Sequence, residues 1–205
     1  MFVELLVVIF IVAVLAALLL PALADRNHKH SLTAWCMSNQ KQIVIGFVMW
    51  KSDHSQQFPW KVSTTNGGTF ETSARGYAAP CFQCVSNYIR VTSVLVCPTD
   101  KNRIQATNFA QLGNLNVSYF VSLDSGNNAA KSILIGDRFL QVKGQPLHPG
   151  LFVLTTNSNV SWTPNFHAAG GVLTFADGHA EFTRDDELNS FIQNQPLATN
   201  HLCVP

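Results

Sequence analysis

The sequence predicts an α+β protein: one long N-terminal helix, apolar in its first half, packed on an antiparallel β-sheet head with long loops. Three observations carry this. Residues 5–24 form an almost unbroken apolar run. Apolar residues then recur at helical spacing as far as Trp50. Beyond that, short apolar stretches alternate with turn residues up to an Asp-Gly pair at 177–178.

The run from Leu5 to Ala24 is broken only by Pro21 and carries no charge. As a helix, twenty residues would be ~30 Å long, the thickness of a bilayer core. A cleaved signal peptide would need a basic start and a shorter apolar core, whereas this chain opens Met-Phe-Val-Glu. A core helix without a polar face over five turns is a poor fit to a chain of 205 residues. A span is the reading that remains. Arg26 and Lys29, with His28 and His30, lie just past it, where a span meets water. Pro21 removes a backbone donor and should kink the helix or melt a turn.

Glu4 opens the run. A charge within the membrane costs at least ~2.5–3.5 kcal/mol and normally marks function. Two readings stay open on the residues alone. Glu4 pairs with the amino terminus of a neighbouring subunit and sets register between helices, or it is interfacial and hydrated.

From residue 25 to 52 the helix should continue as an amphipathic segment. Leu32, Cys36, Ile43, Phe47 and Trp50 share one side; Ser38, Lys41 and Gln42 lie opposite. Residues 53–205 then form the β-rich head. Strands are expected at 94–97, 117–123, 132–137 and 150–154, and loops at 66–68 and 125–128. Asp177-Gly178, between Val172–Ala176 and His179–Phe182, reads as a two-residue hairpin turn. Residues 185–191 read as a short helix whose acids meet the helix dipole.

Charged residues make up only 12% of the chain, against ~25% in ordinary soluble proteins. The net charge is +1 and no basic block stands out, so nucleic acid is not an expected partner. No nucleophile elbow, phosphate loop or pair of catalytic carboxylates appears, and an enzyme is not expected. His167, Asp177 and His179 are the weak metal candidates, with donor types that zinc or calcium accepts. In the plainer reading Asp177 makes the turn and His167 bonds a backbone group to hold its loop on the sheet. "DSGNN" at 124–128 lacks the alternating acids and distal Glu of an EF-hand loop. The five cysteines are Cys36, Cys81, Cys84, Cys97 and Cys203. Cys81-x-x-Cys84 has the spacing of half a zinc site or a redox pair. For a head outside the cytoplasm, disulfides are the plainer reading, and spacing does not give their connectivity. The sequons at Asn116 and Asn159 are short chance-level matches. The four tryptophans read as core or subunit contacts rather than a sugar platform.

"MFVELLVVIFIVAVLAALLLPAL" resembles the mature start of type IV pilins and type II secretion pseudopilins, whose pattern is Phe-Thr-Leu-Ile-Glu-Leu-Leu-Val-Val-Ile. More narrowly, the chain resembles the bacterial prepilin-like family with a C-terminal H-X9-DG motif. "CMSNQKQI" is similar to that family's Cys-x-x-Asn-Leu-Lys-Gln-Ile segment and supplies Cys36, Asn39, Lys41 and Gln42. "VLVCPTDK" supplies Cys97, Pro98 and Asp100, and "ILIGDRF" supplies Asp137. His167 and Asp177-Gly178 stand nine residues apart, as the motif requires. The resemblance covers nearly the whole chain.

The resemblance implies a structural subunit that polymerises into a helical extracellular filament. Residues 1–24 would be its transmembrane and later filament-core segment. In the superfamily a prepilin peptidase removes a short leader and methylates the new terminus. The chain then waits in the inner membrane until an assembly platform extracts it. The assembly role falls on Glu4, Leu5, Leu6, Val7, Val8 and Pro21. One departure is plain: the family acid is the fifth mature residue, and here it is the fourth. No cofactor is implied, although some pseudopilins bind calcium in their loops. The alternatives are a pseudopilin of a type II secretion system and a membrane-anchored extracytoplasmic binding protein.

Overall fold

The computed structural model describes residues 2–125, 132–164, 166–167, 170–195 and 198–205, and residues 18–31 as helical backbone alone. The loop expected at 125–128 and any calcium site in it fall mostly on residues outside that description.

Helix α1 runs from Phe2 to Asp53. Its assignment continues through Pro21, so of the kink or melted turn expected there the melted turn does not occur. Residues 2–17 are all exposed. Further on, Cys36, Ile43, Phe47 and Trp50 are buried and anchor the helix on the head, as their spacing predicts. Among the described residues no helix is long and apolar enough to cross a membrane. The span expected at 5–24 lies partly on residues whose side chains are not described.

Residues 54–118 wrap α1 with short elements: α2 (Phe70–Ser73), α3 (Ala79–Cys84), α4 (Ser86–Ile89) and several 3-10 turns. Gly46 admits α4, since a Cβ there would stand 2.7 Å from Ile89 Cγ1. The strand expected at 94–97 is instead a 3-10 turn, Thr92–Leu95, followed by extended backbone. A four-residue apolar run reports burial, not ladder pairing. Val94, Leu95 and Cys97 are indeed buried.

The main sheet is antiparallel throughout. Its strands are β1 (Tyr119–Ser122), β2 (Ile133–Asp137), β5 (Gly150–Thr155), β7 (Gly171–Phe175), β8 (Ala180–Thr183) and β9 (Thr199–Val204), in the order β5-β9-β1-β2-β7-β8. A small second sheet pairs β3 (Leu140–Val142) with β4 (Gln145–Pro146) and β6 (Val160–Trp162). The expected strands at 117–123, 132–137 and 150–154 are present. Strand β9, between β5 and β1, has no counterpart among the expected strands.

Both faces of the main sheet are covered. Tyr119, Val121, Ile135 and Val172 face α1 and its wrapping elements. Phe120, Leu173, Phe175 and Leu202 face α5 (Asp185–Gln193) and the small sheet. Every residue of β1, β2 and β7 is therefore buried, without the alternation of a one-sided sheet. Helix α5 begins as expected: Glu187 Oε2 accepts the Arg184 N–H at 2.8 Å, and Asp185 Oδ1 accepts the Trp162 N–H at 2.7 Å.

The β7–β8 turn differs from the expected two-residue form. The Gly178 N–H bonds Phe175 O at 2.9 Å, and the Phe175 N–H bonds His179 O at 2.8 Å. Three residues thus make the loop, with Gly178 in the left-handed region at φ 84°. Asp177 Oδ1 accepts the His179 N–H at 2.9 Å and stiffens it.

Candidate functional site

Two features stand out: the bare front of α1 and a buried polar cluster where its back half meets the sheet.

The front half presents Phe2, Leu5, Leu6, Val7, Val8 and Phe10 at 51–75% exposure. Glu4 lies in the first turn of α1 and is exposed, where the helix dipole favours an anion. The outer face remains partly apolar along the head, with Trp35, Ile45, Val48 and Met49 at 40–62% exposure. Trp50, Trp60 and Trp162 are in the core.

The cluster gathers Cys36 from α1, Cys97 from the segment after Thr92–Leu95, Asp137 from the end of β2 and His167 from the loop before β7. One donor atom from each lies within 4.8 Å of all the others, and all four residues are buried. Cys36 Sγ is 3.1 Å from Asp137 Oδ1 and 3.5 Å from Tyr119 Oη. Cys97 Sγ is 3.2 Å from His167 Nε2 and 3.1 Å from Thr99 Oγ1. His167 Nε2 is also 3.5 Å from Asp137 Oδ2, while its Nδ1 lies 3.2 Å from Thr33 Oγ1.

Gln40 frames this group from one helical turn beyond Cys36. Its amide donates to Asp137 Oδ1 at 3.1 Å and to Val172 O at 3.3 Å, and its carbonyl accepts from Thr174 Oγ1 at 2.9 Å. Asp137 Oδ2 accepts the Val172 N–H at 2.7 Å.

The electrostatics follow from burial and proximity. Burial raises the Cys36 thiol well above its usual range, helped by Cys97 and by the Asp137 charge. Burial also pushes Cys97 up, but hydrogen bonds with Cys36 and His167 and the imidazolium charge outweigh it, bringing the thiol down to about 5. Burial lifts Asp137 to about 7, with the Cys97 thiolate adding to the effect. For His167 burial acts downward, and contact with Cys97 and the Asp137 charge reverses it, so its pKa is raised. Cys97 and His167 thus favour a thiolate–imidazolium pair.

The predicted site residues divide clearly. Cys36, Cys97, Asp137 and His167 come together. Asp100 stands apart, holding Arg138 by two bonds of 2.8 and 3.0 Å with its side chain fully buried. Asn39 Nδ2 donates to Val96 O at 3.3 Å; Pro98 is half-buried; Lys41 and Gln42 face outward. Asp177 and His179 are exposed on the β7–β8 turn, so the grouping of His167 with them is corrected. Strand β7 lies between His167 and Asp177, and sends the histidine inward and the turn outward. Among the described residues, His167 meets side chains rather than the backbone group expected. All five cysteines are free thiols in this structure. Cys81 pairs with Thr69 Oγ1, Cys84 donates to Gly67 O, and burial raises these thiols to about 12 and about 11.

Gln40, Tyr119, Thr33 and Thr99 escaped sequence reasoning. Gln40 alone left a signal: a glutamine four residues after Cys36, on the buried side of the helix. On the opposite face of the sheet, a cleft of about 340 Å³ lies between the β7–β8 turn and α5, lined by Phe175, His179, Phe191 and Asn194. No family model matches the chain, and no curated protein or solved structure matches it.

Proposed function

We propose that this chain is a pilin-like subunit that polymerises into a helical extracellular filament through the apolar first half of α1. One observation carries the reading. Residues 2–17 are all exposed, and Glu4 is their sole ionisable residue, while the same helix is buried in the head from Cys36 onward. A helix apolar on every side needs cover from lipid or from other helices. At ~25 cal/mol per Å² of apolar area, leaving it in water is prohibitive.

The subunit waits in the inner membrane with its head outside and is processed there by a prepilin peptidase. An assembly platform then transfers the helix from lipid to the filament core. Glu4 meets a neighbour's amino terminus and sets the stagger, because a misplaced subunit would bury an unpaired charge. Trp35, Ile45, Val48 and Met49 extend the contact between helices. No catalytic step is assigned: Cys97 and His167 are too deeply buried for a substrate to reach.

The test is electron microscopy of fibres sheared from cells, with mass spectrometry of the subunit and its terminus. Helical fibres of this chain that vanish with Glu4→Ala support the proposal. A chain that stays in the envelope as a short pseudopilus would make it a secretion pseudopilin. The cleft beside α5 favours a second reading, a membrane-anchored binding protein. In that case Glu4→Ala would leave insertion intact and no fibre would contain the chain.

A further inference from the structure

We infer that Cys36, Cys97, Asp137 and His167 form a closed structural site for one zinc ion, which locks helix α1 to the head.

The donor set is the first argument. Two sulfurs, one imidazole nitrogen and one carboxylate oxygen converge from four separate segments, all mutually within 4.8 Å. Zinc takes four such ligands at ~2.0–2.3 Å in a tetrahedron, which puts the donors roughly 3.3–3.8 Å apart. The Cys36 Sγ–Asp137 Oδ1 and Cys97 Sγ–His167 Nε2 separations of 3.1 and 3.2 Å need only small outward shifts, and His167 Nε2, 3.5 Å from Asp137 Oδ2, already stands in that range. Two thiolates select a zinc-like ion over calcium or magnesium, which prefer oxygen ligands.

The surrounding shell is the second. A metal-bound histidine ordinarily has its other ring nitrogen hydrogen-bonded, and ligating carboxylates are held in turn. Here His167 turns Nε2 into the cluster while Nδ1 meets Thr33. Asp137 is fixed by Gln40 and by the Val172 N–H. The same orientation argues against a thiol protease-like relay. There the carboxylate holds the nitrogen remote from the sulfur, whereas here Cys97 and Asp137 share Nε2.

Burial and backbone supply the third. Structural zinc sites are closed to solvent, and these four residues are 0–6% exposed. A divalent cation compensates the desolvated thiolates and carboxylate, which are otherwise costly to bury. His167 adopts φ 41°, a left-handed conformation that non-glycine residues hold only where their surroundings demand it. Binding displaces the Cys36 thiol proton and the proton shared by Cys97 and His167 Nε2 to solvent, with no redox change.

The inference is independent of filament assembly, and its test uses the detergent-solubilised full chain. The chain is reduced, stripped with a chelator, and reloaded with Zn²⁺ or Co²⁺. We expect one zinc per chain by elemental analysis, and with Co²⁺ the visible bands of a tetrahedral site plus a near-ultraviolet thiolate charge-transfer band. Cys97→Ser should lose both. Cys84→Ser, away from the site, should keep them. The cobalt spectrum of the wild-type chain decides the matter even where Cys97→Ser does not fold. Failure of the reduced chain to take up a stoichiometric ion overturns the inference. So does uptake lost with Cys84→Ser and kept with Cys97→Ser, or a Cys36–Cys97 disulfide in chain isolated from its own cells without reductant. None of these outcomes bears on whether fibres form.

Discussion

Cys97 Sγ lies 3.2 Å from His167 Nε2, although 70 positions separate the two residues in the chain. The contact joins the segment after a 3-10 turn to the loop before β7, and Cys36 brings α1 to the same point. The joint between helix and head is therefore polar at its centre, inside an apolar surround of Ile43, Phe47, Leu134 and Val172. Polar groups in such a place specify one arrangement, because any slip leaves them unpaired.

Gln40 tests that view. Gln40→Leu keeps the volume but removes the donor to Asp137 and Val172 and the acceptor for Thr174. Buried groups left unmatched cost about 1–3 kcal/mol. Thermal unfolding of the detergent-solubilised chain should shift down, by roughly 2–4 °C per kcal/mol for a protein of this size. An unchanged melting temperature would mean that the network contributes nothing.

The Asp100–Arg138 pair should behave as a unit. Arg138→Met strands a fully buried carboxylate and should destabilise the chain by about 3–5 kcal/mol. Adding Asp100→Asn should recover part of that loss. A double-mutant cycle by chemical denaturation measures the coupling, and strict additivity of the two changes would refute it.

Glu71 predicts a pH effect confined to one loop. Its carboxylate accepts from Ser63 Oγ at 2.6 Å and from the Thr64 N–H at 2.8 Å, which holds its pKa at about 2 instead of 4.5. Because the folded value is the lower, the stabilisation is present above pH 4.5 and is lost as pH falls towards 2. Amide protection around residues 63–71, taken relative to the intrinsic exchange rate at each pH, should fall across that window in the wild type. In Glu71→Gln it should be low throughout. A flat wild-type profile would exclude the mechanism.

Ile45→Glu probes the outer face of α1. Ile45 is 58% exposed, so the isolated subunit should unfold within about 0.5 kcal/mol of wild type. In a packed helical filament the new charge would be buried, and fibre yield should fall sharply. Normal fibres from this variant would place Ile45 away from subunit contacts.

Local pattern was enough to read much of this molecule. The back half of α1 packs through the residues whose spacing marks one helix face. Strands β1, β2, β5, β7 and β8 and helix α5 fall where apolar runs and turn residues place them. Where pattern failed, the reason is physical. The run at 94–97 is buried in a turn, because burial alone does not distinguish a turn from a strand. Strand β9 reads "TNHLCV", too mixed to show alternation, and pairing with β5 and β1 stabilises it.

The sequence by itself determined the helix with its bare front and packed back, the antiparallel hairpin at Asp177-Gly178, and the residue types Cys36, Cys97, Asp137 and His167 at their motif positions. Only the tertiary structure decided that those four meet, that His167 parts from Asp177 and His179, and that Gln40 rather than Gln42 faces the cluster. Helix and turn signals are carried by neighbours a few positions apart. A meeting of residues from four distant segments depends on strand order, register and the seating of α1, which no local spacing encodes.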